Sequence, residues 1–387
     1  MTKEERVLKV LRREKVDYLP SMITFADRTR DREITEALGL KDRTLDEYLE
    51  NHLSFAPLKS DYPLFFRNDV KLMKQLEKEG FCTVDEENKV VYDSWGMGIR
   101  MGSDGFFACF HPLAQKNNRA FVEKYMPPRI HDAMMADTLS ERIRKWTPPD
   151  TVQPGNYDWM KRDLDNLSGE HLVIPCGSFG IYERSYGMAG IPELLAGMAE
   201  NPALIEELLD KVTDYKVETA KHAVKLDNVK VGHMGDDLGT QTGPFFSLKM
   251  FRQMLKPRFA RLWDVFKSNG KYVIMHSCGN VTEFLPDLIE IGLDVLEPVQ
   301  PVMDLKYLKK NFGKDLVFWG GIDTQELLPY ASPEEVKCMA SETIRTLGRG
   351  GGHIIAPAQE IMKDVPLANV VALVETIIEE RGKVLYM

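Results

Sequence analysis

The chain has 387 residues, with 50 Lys and Arg against 59 Asp and Glu, for a net charge of −9. That acidic balance disfavours nucleic acid or an anionic membrane surface as a general partner. Hydrophobic residues at 43 % and charged residues at 28 % describe a globular protein able to bury a sizeable core.

The opening, MTKEERVLKVLRREK, lacks the apolar stretch and small-residue cleavage site of a secretory signal and reads as a charged amphipathic helix. No uncharged apolar run approaches the roughly 18 residues of a transmembrane helix. Five scattered cysteines (Cys82, Cys109, Cys176, Cys278, Cys338) argue against a disulfide framework and for a reducing, cytoplasmic setting. An early apolar run spans Tyr18 to Phe25. Residues 60–150 are less regular, rich in aromatics and methionine (YPLFFRND, SWGMGIRMGSDGFFACFHPLA), and read as an insertion in which the aromatics of FFACFHP belong to a core.

From about residue 170, short β-rich runs alternate with helical patterns, the mark of βαβ units and a parallel sheet. The runs are 171–180, 228–237, 271–279, 293–301, 315–323 and 352–360. Between them, Asn201 and Pro202 supply an N-cap and first-turn proline, and Ser332-Pro-Glu-Glu335 is a capping box for a helix ending near Gly348. Six such runs plus the early one leave a single strand to find for an eight-stranded barrel, and 60–150 is where it is expected. The fold class predicted is α/β, a (β/α)8 TIM barrel with an N-terminal or inserted extension. The glycines at 350–352 precede a strand and so fit a tight connection rather than a phosphate loop.

Barrel active sites lie at the C-terminal strand ends. Those ends carry His233, Asp236 and Asp237; His276 and Cys278; Glu297 and Gln300; Asp323; Gln359 and Glu360. His276 and Cys278 are two apart and project together, half of a tetrahedral zinc site; the alternative is a satisfied histidine and a buried thiol. A third ligand is available from Glu360, Gln359 or Asp237, with Glu360 the better donor as an anionic oxygen. Asp236 and Asp237 suit a general acid, or a metal or substrate contact; against this stands an N-cap for the helix near Ser247. Glu183 and Arg184 follow another strand, as catalytic groups or as an internal ion pair.

At these residues the sequence resembles the uroporphyrinogen decarboxylase superfamily, and within it the corrinoid-dependent methyltransferases. The carriers are ERVLKVLRREKVDYLP, GDDLGTQTGPFFSLKMFRQMLKP, HSCGNVTEFLPDLIEIGLDVLEPVQP, FWGGIDTQELLPYASPEEV and GGGHIIAPAQEIMKDVP, covering 1–25 and roughly 170–380. The resemblance implies one barrel domain over 1–387, zinc on His276 and Cys278, and methyl transfer from a small methylated donor to a separate corrinoid (cobalamin) protein. The family's further cysteine is absent, its place reading Ala356-Pro357-Ala358-Gln359. The decarboxylase's R-Q-A-G-R segment is also absent, although Arg28 and Arg30 stand in MITFADRTRDRE. With no D-x-H-x-x-G motif, the corrinoid is expected on a partner. Expected roles are Asp237 and Glu183 in catalysis, Asp236 and Gln359 at substrate, and His276, Cys278 and Glu360 on metal. The aromatic insertion favours a methoxylated aromatic donor. The alternatives are a metal-independent decarboxylase and a non-catalytic corrinoid-protein-binding or sensor barrel, and a homo-oligomer is compatible with each.

Overall fold

The structure, a computed structural model, describes residues 1–26, 28–102 and 108–384. Strands in chain order are β1 Leu53–Pro57, β2 Cys82–Asp85, β3 Val90–Asp93, β4 Gly98–Arg100, β5 Ala108–Phe110, β6 Leu172–Phe179, β7 Val231–Gly235, β8 Tyr272–His276, β9 Val295–Val299, β10 Val317–Ile322 and β11 His353–Pro357. A parallel sheet runs in the order β1-β6-β7-β8-β9-β10-β11, and β2 to β5 form a separate antiparallel sheet.

The six anticipated runs are β6 to β11. The remaining strand is β1, at 53–57, ahead of the 60–150 stretch in which it was sought. LSFAP is short, polar at Ser54 and ends in proline, so it carries no apolar signature. Within 60–150 lie β2 to β5 and several short helices. There Phe110 packs on Tyr92 and Phe121 as anticipated, while Phe106 and Phe107 lie outside the described residues.

The early apolar run completes the ring. Ser21 and Phe25 bridge β11 and its continuation at Ile355 and Ile361 in parallel. On the other side Ser21 O accepts from His52 N, next to β1. Asn51 braces this seam through both the N–H and the carbonyl of Ile23.

Side chains of successive strand residues face opposite ways. One set, including Leu53, Leu172, Ile174, Val231, Ile274, Val295, Val317, Trp319, Ile354 and Ala356, gathers into one apolar cluster inside the ring. Val7, Val10 and Leu11 of the N-terminal helix Lys3–Leu11 join it, so that helix stoppers the barrel at the strands' N-terminal ends. The other face packs against the outer helices. The helix Pro202–Ala223 starts at its proline, but the Asn201 side chain makes no cap hydrogen bond. The capping box at Ser332 and Glu335 is present, with the helix ending at Gly348. Gly350, Gly351 and Gly352 all have positive φ, the conformation that a tight helix-to-strand connection here demands.

Candidate active site

Three strands deliver the polar groups to the open end. β8 ends in His276, and Cys278 follows; β7 is followed by Asp237; β9 contributes Glu297. Asp237, His276 and Cys278 each offer a ligand atom, all within 4.8 Å of one another. The set is one nitrogen, one sulfur and one anionic oxygen, a chemistry that suits a tetrahedral zinc ion with three protein ligands. Glu360, the preferred third donor of the sequence reading, is exposed and is not one of these three; the carboxylate gathered with His276 and Cys278 is Asp237, another of the anticipated donors.

His276 Nδ1 lies 2.7 Å from Glu297 Oε2, and its Nε2 lies 3.4 Å from Asp237 Oδ1. Burial opposes charge on this ring, yet Glu297, Asp237 and Cys278 together hold its pKa well above the ordinary value. Glu297 is thus the carboxylate that fixes the Nδ1 proton and leaves Nε2 to face the group. Asp237 is half-buried, and although desolvation opposes its charge, the His276 hydrogen bond and the Cys278 N–H, 2.7 Å from Oδ1, hold it below the usual carboxylate range. Burial pushes the Cys278 thiol up, against the pull of His276. Gln359 Nε2 donates to Cys278 Sγ at 3.0 Å, so the residue in the family's cysteine position touches the remaining thiol.

Asp236 does not reach this mouth. The strand alternation turns it outward, where it is fully buried and accepts from the backbone N–H groups of Ile181 and Glu183. It therefore caps the helix Ile181–Ala189, on the neighbouring unit, rather than binding substrate. The helix at Leu248–Met250 is capped by Ser247 itself. Burial raises Asp236 to about 7 despite those amides. The cap also explains Gly180, where a Cβ would lie 2.5 Å from Asp236 Oδ2.

Glu183, in the first turn of the capped helix, is buried and does not pair with Arg184. Burial first, then the charges of Asp237 and Asp236, raise its carboxyl well above the ordinary range. Tyr186, one turn on and not anticipated, donates to Glu183 Oε1 at 3.0 Å; only the i, i+3 spacing from Glu183 signalled it. Glu183 Oε2 packs against Gly235, beside His276. Arg184 instead pairs with Asp93 of β3 at 2.6 Å, both nearly inaccessible.

Two further strand-end groups are structural. Asp323 accepts from the N–H groups of Gln325 and Glu326, and Gln300 Oε1 takes the Gly279 N–H. A groove of about 530 Å³ between the loops after β9 and β10 and the helix Pro333–Gly348 is lined by Pro301, Leu305, Leu327 and Met339, away from Asp237, His276 and Cys278.

Comparison with known proteins agrees with this architecture. The sequence model of the uroporphyrinogen decarboxylase (URO-D) family matches residues 182–380. The chain is 24 % identical over 188 residues to a methylated-thiol–coenzyme M methyltransferase of Methanosarcina mazei, covering 48 % of each chain. It is 26 % identical over 188 residues to a uroporphyrinogen decarboxylase of Methylococcus capsulatus, covering 47 % of this chain and 50 % of that one. The matches thus span about half the length of these curated relatives. A solved methyltransferase from Methanosarcina mazei shares the fold with a TM-score of 0.59 at 20 % identity, over 98 % of this chain and 99 % of the other. With the family's segment running from the helix that carries Glu183 through the strands that carry His276 and Glu297 to the last helix, the chain belongs to the uroporphyrinogen decarboxylase family.

Proposed function

We propose that this protein is a methyltransferase that takes a methyl group from a small methylated donor and passes it to the cobalt of a separate corrinoid protein. The observation that carries the reading is the gathering of Asp237, His276 and Cys278 at the barrel mouth. Similarity to a methylated-thiol–coenzyme M methyltransferase supports it. These three residues would hold zinc, which supplies Lewis acidity toward the donor's heteroatom.

The chain's own residues do the rest. Glu297 keeps the Nδ1 proton of His276 in place, so Nε2 is the nitrogen that would bind zinc once its own proton is displaced. Asp237, with its depressed pKa, stays anionic and anchors the backbone of Cys278. Glu183, held protonated by burial beside two aspartates, is the proton source. Tyr186 occupies its Oε1, so the proton sits on Oε2, on the His276 side. As the bond from methyl carbon to heteroatom breaks, its electron pair stays on the heteroatom and takes up that proton. The new carbon–cobalt bond is formed with the pair brought by the reduced corrinoid of the partner.

A tetrapyrrole decarboxylase fits less well. A substrate with many carboxylates calls for a basic pocket, whereas this mouth gathers Glu183, Asp237 and Glu297. Arg28 is engaged with Asp31 and Asp46, and Arg30 with Glu33 and the carbonyls of Lys363 and Val365. The test is to mix zinc-loaded protein with reduced corrinoid protein and a panel of methyl ethers, thioethers and amines, following the cobalt spectrum. Conversion to the methylated corrinoid with at least one donor is expected. Folded, zinc-replete protein that converts none, or that binds the partner tightly without turnover, would overturn the reading.

A further inference from the structure

One layer below the metal-ligating group, the barrel interior stops being a filled core. Phe55, in the middle of β1 and inward-facing, is 38 % exposed, although the strands beside it are buried. An exposed phenylalanine at such a position means that the lumen there is open. Its ring stacks on Trp319 of β10, with centroids 6.1 Å apart and planes 13° from parallel. On its other side it meets the His233 ring of β7 at 5.6 Å and 75°. Strands β1, β7 and β10 are not neighbours, so their side chains meet only across the interior.

His233 is the polar element of this layer. Its Nδ1 lies 3.5 Å from Cys176 Sγ, and its Nε2 is buried with no hydrogen-bond partner among the described residues. Burial lowers the imidazole to about 4 and raises the Cys176 thiol to about 12, so both are neutral. The thiol then donates to Nδ1, which puts the imidazole's one proton on Nε2. A buried N–H without an acceptor is costly and is expected to find one in a ligand.

The depth fits a particular shape. His233 pairs with Ile274 in the sheet and Gly235 with His276, so His233 lies two residues, about 7 Å, below the His276 layer. That is roughly the span of a benzene ring with one substituent at each end. We propose that this lumen is the donor pocket, and that it takes an arene bearing a methoxy group at the metal-ligating end and an oxygen acceptor at the far end. The ring lies on Phe55 and Trp319, and His233 Nε2–H donates to the far oxygen once Phe55 turns aside. This assignment rests on the methyl-transfer reading above and names its substrate class from Phe55, Trp319 and His233 rather than from the insertion.

The experiment is calorimetric binding to the zinc-loaded full chain, without corrinoid protein, of 4-methoxyphenol, anisole and methoxycyclohexane. The phenol is expected to bind on the order of tenfold tighter than methoxycyclohexane, a preference that Phe55→Ala abolishes. His233→Phe is expected to weaken 4-methoxyphenol by on the order of tenfold and to leave anisole unchanged. His233→Gln, which keeps an N–H donor, is expected to restore part of the loss and guards against misfolding of the bulkier variant. Equal affinity for the cyclohexyl ether, or unaltered affinities in folded Phe55 and His233 variants, would refute the pocket. Ring-selective binding with no methyl transfer would refute the transfer reading and leave the pocket standing. Transfer from aliphatic donors without ring binding would do the reverse.

Discussion

Glu297 contacts the Asp237–His276–Cys278 group only through a histidine, yet it decides how that histidine presents itself. With its carboxylate 2.7 Å from Nδ1, the imidazole is fixed in rotation and in tautomer. Glu297→Gln is expected to lower zinc affinity by about 10- to 100-fold, the usual effect of removing such a support. Competition against a chromogenic chelator measures this, and an unchanged affinity would remove Glu297 from the site. Of the individual residues, the meeting of His276 and Cys278 was legible because their spacing puts an imidazole and a thiol on one face. The division between Asp236 and Asp237 was not: neighbours in sequence, they face opposite sides of the sheet, one into a helix terminus and one into the mouth. Adjacent carboxylates carry no mark of which is which until the strand's register is known.

At the scale of elements, β6 to β11 were readable because strands covered on both faces are continuous apolar runs, whereas LSFAP and the seam at 20–26 are too short and too proline-bound to stand out. The join between barrel and inserted sheet was unreadable for a different reason. It depends on Arg184 meeting Asp93, residues 91 apart in sequence. Asp93 also accepts from the N–H groups of Trp95 and Met97, and the Arg184 guanidinium lies over the Trp95 ring. Asp93→Ala leaves a buried guanidinium without its carboxylate and is expected to cost about 3–5 kcal/mol. Urea unfolding would register this as a lowered midpoint; a loss below about 1 kcal/mol would show that the pair does not hold the insertion to the barrel.

For the molecule as a whole, acid sensitivity follows from histidines kept neutral by burial. His353 is inaccessible, hydrogen-bonded to the Gly320 carbonyl through Nε2, and lowered by burial to about 4. Below about pH 6.5 the unfolded chain protonates this ring while the folded chain does not until about pH 4, so stability falls as pH drops through that window. Asp236 and Glu183, with raised values, act in the opposite sense, but a comparison of variants cancels them. His353→Asn, destabilised at pH 7 by the lost hydrogen bond, is therefore expected to gain about 2–3 kcal/mol relative to the parent between pH 7 and 4.5. Parallel stability curves for the two proteins would contradict this. The stoppered floor of the barrel has a consequence for traffic. With Val7, Val10 and Leu11 closing the far end, the lumen is a cul-de-sac, and a donor and its demethylated remnant share the doorway at which a corrinoid carrier would dock. Loading, docking and discharge must then take turns, so an excess of carrier would slow turnover by standing in the exit.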